Sequence, residues 1–335
     1  MISIDEQSIT PKYLQITNSI IEAINSGNLK KDQHLASINE LSASLDISRD
    51  TVEKAYRHLK QIGIIGSIPG KGFYITNAEI KSRLKILLIF NKLSAHKKII
   101  YDELVNSIGN DAAIDFYIYN NDFTSFKKII ENKREGYTHY IIIPHFIDKT
   151  EEVASLINLN TNGHLILLDK QLNGITKSYG AVFEQFEEDI YEALKKALPQ
   201  LTKYNTLKII FPNYSYFPED ILNGFRNFCA EYAFNYHIVS KIQEENINKG
   251  EVFINLMEDD LIHLLTKIQD ANLKIGEDIG IISYNETPWK KFILNGITTI
   301  STDFVKMGQM AANLVLNNSS EKLQVPFSLT LRNSL

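Results

Sequence analysis

The 335-residue sequence predicts an α/β protein in which a small N-terminal domain of three helices and a β-hairpin precedes a larger domain of two doubly wound, parallel-sheet lobes. Two patterns predict this architecture. Before residue 63 the apolar residues recur at helical spacing, whereas after residue 84 short apolar runs alternate with helical patterns. The length suits two or three hydrophobic cores, and the 44% hydrophobic and 22% charged residues are average for globular proteins.

The first two helices have clear ends. Residues 11–26 carry apolar side chains every three or four positions, and Gly27 stops that pattern. Residues 37–40 read Ser-Ile-Asn-Glu, the form of a capping box, in which the serine hydroxyl bonds a free backbone N–H and the glutamate reaches back. A short second helix is therefore predicted to begin after Ser37.

A third helix follows a turn at residues 46–47 and is capped by Ser48. Its inward face is apolar and consists of Val52, Ala55, Tyr56, Leu59 and Ile62. Its outward face is polar and consists of Arg49, Asp50, Glu53, Lys54, Arg57 and His58. The first turn of such a helix is placed to enter the major groove of DNA, as a recognition helix does.

A β-hairpin follows the third helix. Apolar residues 64–65 and 73–75 flank the turn Pro69-Gly70-Lys71-Gly72. Its glycines permit positive φ and its lysine stands at the tip. Three helices followed by a hairpin of this kind predict a winged helix-turn-helix over residues 1–76.

The N-terminal segments PKYLQI, LASINELSASLDISRDTVEKAYRHLKQIGII and GKGFYI resemble the DNA-binding domain of the GntR family from Pro11 to Ile75. The resemblance implies that Arg49 contacts base edges, that Ser37 and Lys54 contact phosphates, and that the wing approaches the minor groove. The DNA-binding residues expected on this basis are Ser37, Asn39, Ser48, Arg49, Asp50, Thr51, Lys54, Arg57, Gly70, Lys71 and Gly72. Asn39 and Glu53 stand where many members carry basic residues, so the sequence that is read is expected to differ.

Charge supports DNA binding only locally. The whole chain has a formal net charge of −5, and residues 1–80 carry eight basic and nine acidic side chains. Residues 48–72 carry five basic and two acidic side chains, a net charge of +3. The favourable field is therefore confined to the predicted recognition helix and wing, where phosphates would lie.

A polar linker at residues 77–83 separates this domain from residues 84–335, where strand-like and helical segments alternate. The predicted strands include residues 86–90, 116–119, 140–143, 165–168, 207–211, 252–256 and 279–284. The predicted helices include residues 184–198, 218–232, 259–271 and 304–316. This repeat predicts two doubly wound lobes, with ligands bound beyond the carboxyl ends of the strands, in the cleft between the lobes.

The segments ILNGF, DIGIISYNETPW and GITTISTDFVKMGQMAANLVL resemble the LacI/GalR sugar-sensing domain, which has the type I periplasmic-binding-protein fold, over residues 84–331. The resemblance implies a ligand site formed by Phe90, Ser94, His96, His145, Phe146, Asp169, Gln185, Tyr216, Phe217, Asp259, Asn285, Glu286, Trp289, Thr302 and Asp303. Three positions depart from the family: Gln185 and Asn285 each replace an aspartate, and Ile221 replaces an arginine.

Polar side chains next to aromatic ones favour a sugar, because hydroxyls pair with the former and an apolar sugar face stacks on the latter. We expect an allosteric homodimer that binds double-stranded operator DNA and a monosaccharide effector such as fucose or arabinose. A regulator that senses a nucleotide or an amino acid is an alternative. A solute-binding or sugar-processing protein with the same cleft fold is another.

Several functions are not expected. No HExxH or CxxC spacing suggests a metal, no phosphate-binding loop is present and no nucleophile with a base is apparent, so we expect neither cofactor nor enzymatic activity. The single Cys229 cannot form an internal disulfide, and its apolar neighbours place it in a core. No apolar run approaches membrane-spanning length and the N-terminus does not resemble a signal peptide, so a cytoplasmic protein without membrane contact is expected.

Overall fold

The computed structural model of the chain describes residues 2–70, 72–77, 84–109, 112–133, 136–146, 150–213 and 217–335. They form two compact units. The first unit comprises Met1–Leu93, Val105–Gly180 and Ala312–Glu321, and the second comprises Ser94–Leu104, Ala181–Ala311 and Lys322–Leu335. The N-terminal domain thus belongs to the same compact unit as the strands that follow it.

The N-terminal domain has the three helices and the hairpin that the sequence predicts. Its elements are α1 (Lys12–Asn25), α2 (Ile38–Leu45), α3 (Arg49–Gln61), β1 (Ile65–Ile68) and β2 (Gly72–Ile75). The apolar faces of α1 and α3 are buried in one core, which includes Ile16, Ile20 and Tyr56. Both predicted caps are present, since the hydroxyls of Ser37 and Ser48 each accept a backbone hydrogen bond from the residue three positions on.

The hairpin strands β1 and β2 pair antiparallel, from Ile65 opposite Ile75 to Ile68 opposite Gly72. Gly70 and Gly72 have φ angles of 78° and 83°, which glycine adopts without steric cost. The predicted tip residue, Lys71, lies outside the described residues. The described part of the hairpin confirms the predicted wing.

Four parallel strands of the first unit lie next to one another in a six-stranded sheet. They are β3 (Leu84–Phe90), β4 (Ala112–Ile118), β5 (His139–Ile142) and β6 (His164–Asp169), in the spatial order β4-β3-β5-β6. The chain also forms α4 (Ala95–Ile108), which belongs to the second unit up to Leu104, α5 (Phe123–Asn132), α6 (Thr150–Asn160) and β7 (Tyr179–Phe183), whose first two residues belong to the first unit. The carboxyl ends of β5 and β6 carry residues that the sequence assigns to a ligand site.

The second unit holds a six-stranded sheet in the order β14-β12-β11-β10-β8-β9. Its strands are β8 (Thr206–Ile210), β9 (Asn235–Val239), β10 (Glu251–Asn255), β11 (Ile279–Tyr284), β12 (Thr298–Thr302) and β14 (Phe327–Thr330). Its helices are α7 (Phe186–Leu201), α8 (Asp220–Glu231), α9 (Glu258–Asp270) and most of α10 (Phe304–Leu316). Only β14 is antiparallel to its neighbour, and a short strand β13 (Lys322–Gln324) pairs with β7.

The observed elements confirm the predicted fold class, and the seven predicted strands overlap β3, β4, β5, β6, β8, β10 and β11. The four predicted helices coincide with α7, α8, α9 and α10. The strands β7, β9, β12, β13 and β14 were not among those predicted. In β9 four of the five residues are exposed, so it shows no buried apolar run.

Within the described part of the chain, no helix is long and apolar enough to cross a membrane. In the same residues, no group of three or more His, Cys, Asp or Glu side chains is arranged to hold a metal ion. Cys229 is buried as its sequence pattern predicts, and this burial raises the pKa of its thiol to about 12.

Candidate DNA-binding surface and effector-binding residues

The first turn of α3 presents Arg49 and Asp50 to solvent. Their placement depends on Ser48, whose Oγ accepts from the Thr51 backbone N–H at 3.3 Å and lies 2.8 Å from the Thr51 hydroxyl. The cap therefore fixes where the helix starts and which side chains lead it. An exposed arginine at this position is suited to bidentate contact with a guanine edge.

The other cations of α3 have partners within the domain. The Lys54 ammonium lies 4.2 Å from the centre of the Tyr13 ring, a cation–π contact that joins α3 to α1. The Arg57 guanidinium pairs with Glu53 at 2.8 Å, and both side chains are more than half exposed. Water screens such a pair, so Arg57 can exchange Glu53 for a phosphate at small cost.

Residues of α2 combine capping with exposure. The Ser37 hydroxyl accepts from the Glu40 N–H at 3.2 Å, and the Glu40 carboxylate accepts from the Ser37 N–H at 2.8 Å. These hydrogen bonds, chiefly the one from the Ser37 backbone, lower the pKa of Glu40. Because Ser37 uses its oxygen as an acceptor, its O–H remains a donor for a phosphate, and Asn39 is exposed beside it.

Lys60 is a cation of α3 that the sequence prediction did not include. Its ammonium donates to the Ser67 hydroxyl at 2.9 Å and so joins α3 to β1 of the wing. Gly70 and Gly72 are exposed at the wing tip. The described residues expected to contact DNA therefore occupy exposed or half-buried positions on α2, α3 and the wing.

In the first unit, the structure brings His145 and Asp169 together. The His145 Nε2 atom lies 2.9 Å from Asp169 Oδ2, and the side chains are only 7% and 10% exposed. Asp169 is the last residue of β6 and has a left-handed φ of 74°. The pair offers an acceptor and an imidazole at the carboxyl ends of adjacent strands, where α/β folds bind ligands.

Tyr119 holds the backbone of the loop that carries His145, a role that the sequence did not predict. Its hydroxyl lies 2.9 Å from each of three backbone atoms, the carbonyl oxygens of Ile143 and His145 and the His145 nitrogen. Burial raises the pKa of the Tyr119 phenol, which therefore keeps its proton. Phe146 stacks on the Tyr119 ring at 4.8 Å. The half-buried Phe146 thus offers an aromatic surface close to the His145–Asp169 pair.

Phe90 has a different environment. It is 0% exposed and packs edge-on against Phe116, with ring centres 5.0 Å apart. The structure therefore places Phe90 in the core at the end of β3.

In the second unit, Ser94 and His96 lie at the start of α4. The Ser94 hydroxyl lies 3.0 Å from His96 Nε2, and the His96 ring stacks on Phe304 with centres 4.8 Å apart. Asp303 precedes Phe304, and its Oδ1 accepts from the Lys306 N–H at 2.9 Å. Asp303 therefore caps α10, and Phe304, the first residue of that helix, stacks on the His96 ring.

The loop after β11 carries Asn285 and Glu286. Asn285 is buried with a left-handed φ of 64°. Glu286 pairs with Arg332 at 2.8 Å and accepts a hydrogen bond from Thr299. Glu286 is thus paired with Arg332, a partner that the sequence did not predict.

Lys290 anchors the same loop. It is 1% exposed and donates to the carbonyl oxygens of Tyr284 and Asn285 at 3.3 and 2.5 Å. Burial lowers the pKa of Lys290 to about 8. Trp289 packs against the core around Phe253, so its ring is partly buried.

The remaining expected ligand residues are dispersed. Gln185 donates to Gln324 at 3.0 Å, and its backbone N–H donates to Asp189 at 2.8 Å. Thr302 is buried at the end of β12, Asp259 is exposed in the first turn of α9, and Phe217 is half-buried. Tyr216 lies outside the described residues.

Residues 12–75 match the family model "Bacterial regulatory proteins, gntR family", and residues 204–334 match "Periplasmic binding protein-like domain". The HTH-type transcriptional repressor YtrA of Bacillus subtilis is 38% identical over 100 residues, which cover 27% of this chain and 77% of that protein. The match to YtrA includes too little of this chain to extend through the two lobes.

Solved structures resemble the larger domain. A LacI family transcriptional regulator from Enterococcus faecium with bound ribose has a TM-score of 0.60 at 18% identity, and the dimeric Lac repressor has 0.62 at 16% identity. Each comparison covers 75% of this chain and 98% of the other. These likenesses establish the type of fold. Since the N-terminal domain matches both the family model and a repressor at 38% identity, the chain belongs to the gntR family of bacterial regulatory proteins and is a DNA-binding transcription regulator.

Proposed function

We propose that this regulator binds a double-stranded operator in a sequence-specific manner and that a monosaccharide bound to its periplasmic-binding-protein-like domain controls its DNA affinity. The buried His145–Asp169 pair beside Phe146 carries the proposal, because it joins hydrogen-bonding groups to an aromatic face. A sugar site needs hydrogen-bonding groups for the sugar hydroxyls and an aromatic ring on which the C–H face of the sugar can stack. The proposal places the chain in the cytoplasm, where bacterial DNA lies.

On the DNA side, the proposal assigns base contacts to Arg49 and phosphate contacts to Lys54, Arg57 and Lys71. Two chains pair and place their α3 helices in successive major grooves, about 34 Å apart on a pseudo-palindromic site. The likeness to the dimeric Lac repressor supports a homodimer. Sugar binding changes the DNA affinity of the dimer, and by reciprocity DNA binding changes the sugar affinity by the same factor.

The sugar is proposed from the chemistry of the site and from the ribose bound to the Enterococcus faecium regulator. Fucose and arabinose are our first candidates, and ribose joins them because of that comparison. Gln185 and Asn285 offer neutral amides where carboxylates are usual in the family that the larger domain resembles, so we expect the hydroxyl preference to differ from that of other members.

The proposal is tested in two steps with the purified full-length chain. A randomised duplex library selects the preferred DNA sequence, and a panel of pentoses, hexoses and deoxyhexoses is screened by thermal shift. A sugar at about 100 times its dissociation constant adds roughly 2.7 kcal/mol to the stability of the domain that binds it. The selected duplex is then titrated with and without each stabilising sugar.

We expect one sugar to stabilise the chain and to change the duplex dissociation constant by about 5-fold or more. Nucleotides and amino acids form a control panel of the same size. A response confined to that panel would replace the monosaccharide by another effector class, and turnover of a sugar would contradict a regulator that only binds it.

A further inference from the structure

The N-terminal segment, residues 2–10, contacts the outer edge of β4 through residues 8–10. The Ile9 N–H donates to the Phe116 carbonyl at 2.8 Å, and the Phe116 N–H donates to the Thr10 hydroxyl at 2.7 Å. The Ser8 hydroxyl adds a bond to the same carbonyl at 3.2 Å. Because β4 is at the end of its sheet, the segment covers backbone groups that an edge strand leaves unpaired.

Side chains reinforce this contact at Asp5. The Tyr117 hydroxyl donates to Asp5 Oδ2 at 2.7 Å, and the Lys133 ammonium lies 3.1 Å from the same oxygen. Partial burial of Asp5 opposes its ionisation, but hydrogen bonds from Tyr117, Lys133 and the Gln7 backbone together outweigh that effect and lower the pKa of the carboxyl. Tyr117 is 4% exposed, so the interaction is shielded from water on one side.

The same segment is fixed to the DNA-binding domain through Gln15 of α1. The Gln15 side chain accepts from the Asp5 N–H at 2.8 Å and donates to the Thr10 carbonyl at 2.8 Å. Gln15 is 9% exposed, and its two hydrogen bonds hold the segment at Asp5 and at Thr10. These hydrogen bonds connect the segment to α1, which packs against the recognition helix α3.

The elements that hold the segment also hold the candidate effector loop, residues 143–146. Tyr119 directly follows β4, and its hydroxyl bonds the backbone of this loop. Phe126 of α5 packs against Phe146 with ring centres 5.0 Å apart, and Lys133 follows the last residue of the same helix. Thus β4 and α5 each connect the loop to the N-terminal segment. Tyr119 follows β4 and contacts the loop, and Tyr117 of β4 contacts Asp5. Phe126 of α5 contacts Phe146, and Lys133, which follows α5, contacts Asp5.

We infer that the N-terminal segment transmits the effector state of the loop to the DNA-binding domain. This inference rests on the proposed function and specifies its regulation. A loop that rearranges around a sugar must repack Tyr119 and Phe126, because both are buried. Packed cores respond by shifting between discrete arrangements, so β4 and α5 shift with the loop and change how the segment is held.

The inference is tested with the selected DNA duplex and does not need a known sugar. Since coupling is reciprocal, duplex binding to α3 must alter the loop. Hydrogen exchange of a peptide covering residues 139–146 is measured for the full-length chain with and without the duplex. We expect the duplex to change exchange of the wild-type peptide by about 5-fold or more.

Two variants interrupt the path with little change in volume. Tyr117→Phe removes the hydroxyl that holds Asp5, and Thr10→Val removes the acceptor for the Phe116 N–H. The matched control is Tyr191→Phe, which removes a tyrosine–carboxylate bond of 2.6 Å to Glu231 in the second unit. We expect both path variants to lose most of the duplex-induced change and the control to keep it.

The outcomes separate the inference from the proposed function. Wild-type exchange that the duplex leaves unchanged, or path variants that retain the full change, would overturn the inference while DNA regulation stands. If the wild-type chain selects no duplex, the proposed function fails and the inference fails with it. Circular dichroism identifies any unfolded variant. If Tyr117→Phe does not fold, Thr10→Val alone tests the inference.

Discussion

The His145 imidazole and the Asp169 carboxylate lie 2.9 Å apart in a nearly dry environment at the ends of two adjacent parallel strands. Asp169 closes β6 with a left-handed φ of 74°. Backbone conformations of this kind are concentrated at ligand-binding positions. This geometry suggests where substitution separates effector binding from DNA binding.

Replacing Asp169 by asparagine is expected to weaken sugar binding by about 10- to 100-fold. The change removes a charged acceptor, and hydrogen bonds to charged groups contribute about 1.5–3 kcal/mol. The thermal shift of the responding sugar measures the loss, and duplex affinity without sugar should not change. Asp270→Asn, at the exposed end of α9, is the control. An unchanged sugar affinity in Asp169→Asn would remove this residue from the site.

Arg49→Ala is expected to relax sequence preference at one position of each half-site, with a cost of about 1–3 kcal/mol for the preferred base. Lys71→Ala should instead weaken all duplexes alike and reduce the slope of log affinity against log salt by about 1. Binding to duplexes substituted at each position measures both effects. Arg226→Ala, exposed on α8, serves as the control and should leave preference and salt slope unaltered. Equal losses on every duplex for Arg49→Ala would contradict base reading.

Asp189→Asn is expected to stabilise the second unit at neutral pH. Burial is the main cause that raises the pKa of Asp189 from 3.8 to about 6. Between these values the folded chain retains a proton that the unfolded chain has released, so the free energy of unfolding falls as pH rises. Asparagine does not titrate, and its amide oxygen can still accept from the Gln185 N–H.

The advantage of Asp189→Asn should therefore increase from about pH 4 to pH 6 and stay constant above, reaching about 1 kcal/mol after allowance for solvent screening. Thermal unfolding at pH 4, 5, 6 and 8 measures it. A difference from wild type that is the same at every pH would show that the proton on Asp189 does not contribute.

Gly224→Ala is expected to destabilise the second unit by about 1–3 kcal/mol. A Cβ atom at this position would lie 2.1 Å from the Glu187 carbonyl oxygen and 2.6 Å from Ile190, so α8 would have to move away from α7. Chemical denaturation measures the change, and Arg226→Ala on the exposed face of the same helix is the control. Wild-type stability in Gly224→Ala would mean that the two helices separate without cost.

Local patterns in the sequence were sufficient for the N-terminal domain. Ser37, Ser48 and the wing glycines act on backbone groups within a few residues of themselves, and so their roles follow from spacing. The strands β3, β5 and β10 were also predictable, since each contains a run of apolar residues that is buried. Edge strands such as β9 lack that pattern.

The candidate effector residues were predictable as positions but not as an arrangement. Asp169, Asn285 and Asp303 each follow or end a strand, where a ligand contact and a helix cap look alike. The tertiary structure distinguished them by their partners, a buried histidine for Asp169 and a backbone N–H of α10 for Asp303. Glu286 could not be assigned to Arg332 from the sequence, because 46 positions separate them and no pattern in the sequence relates the two.

The sequence by itself determined the recognition helix, its caps, the wing and the alternation of strands and helices, because these depend on hydrogen bonds and apolar contacts between near neighbours. Only the tertiary structure decided that Tyr119 holds the His145 loop, that Lys54 lies over Tyr13, and that Asp5 reaches Tyr117 across 112 positions. Contacts over such separations depend on how the packed elements are placed in space, and no periodicity in the chain records that placement.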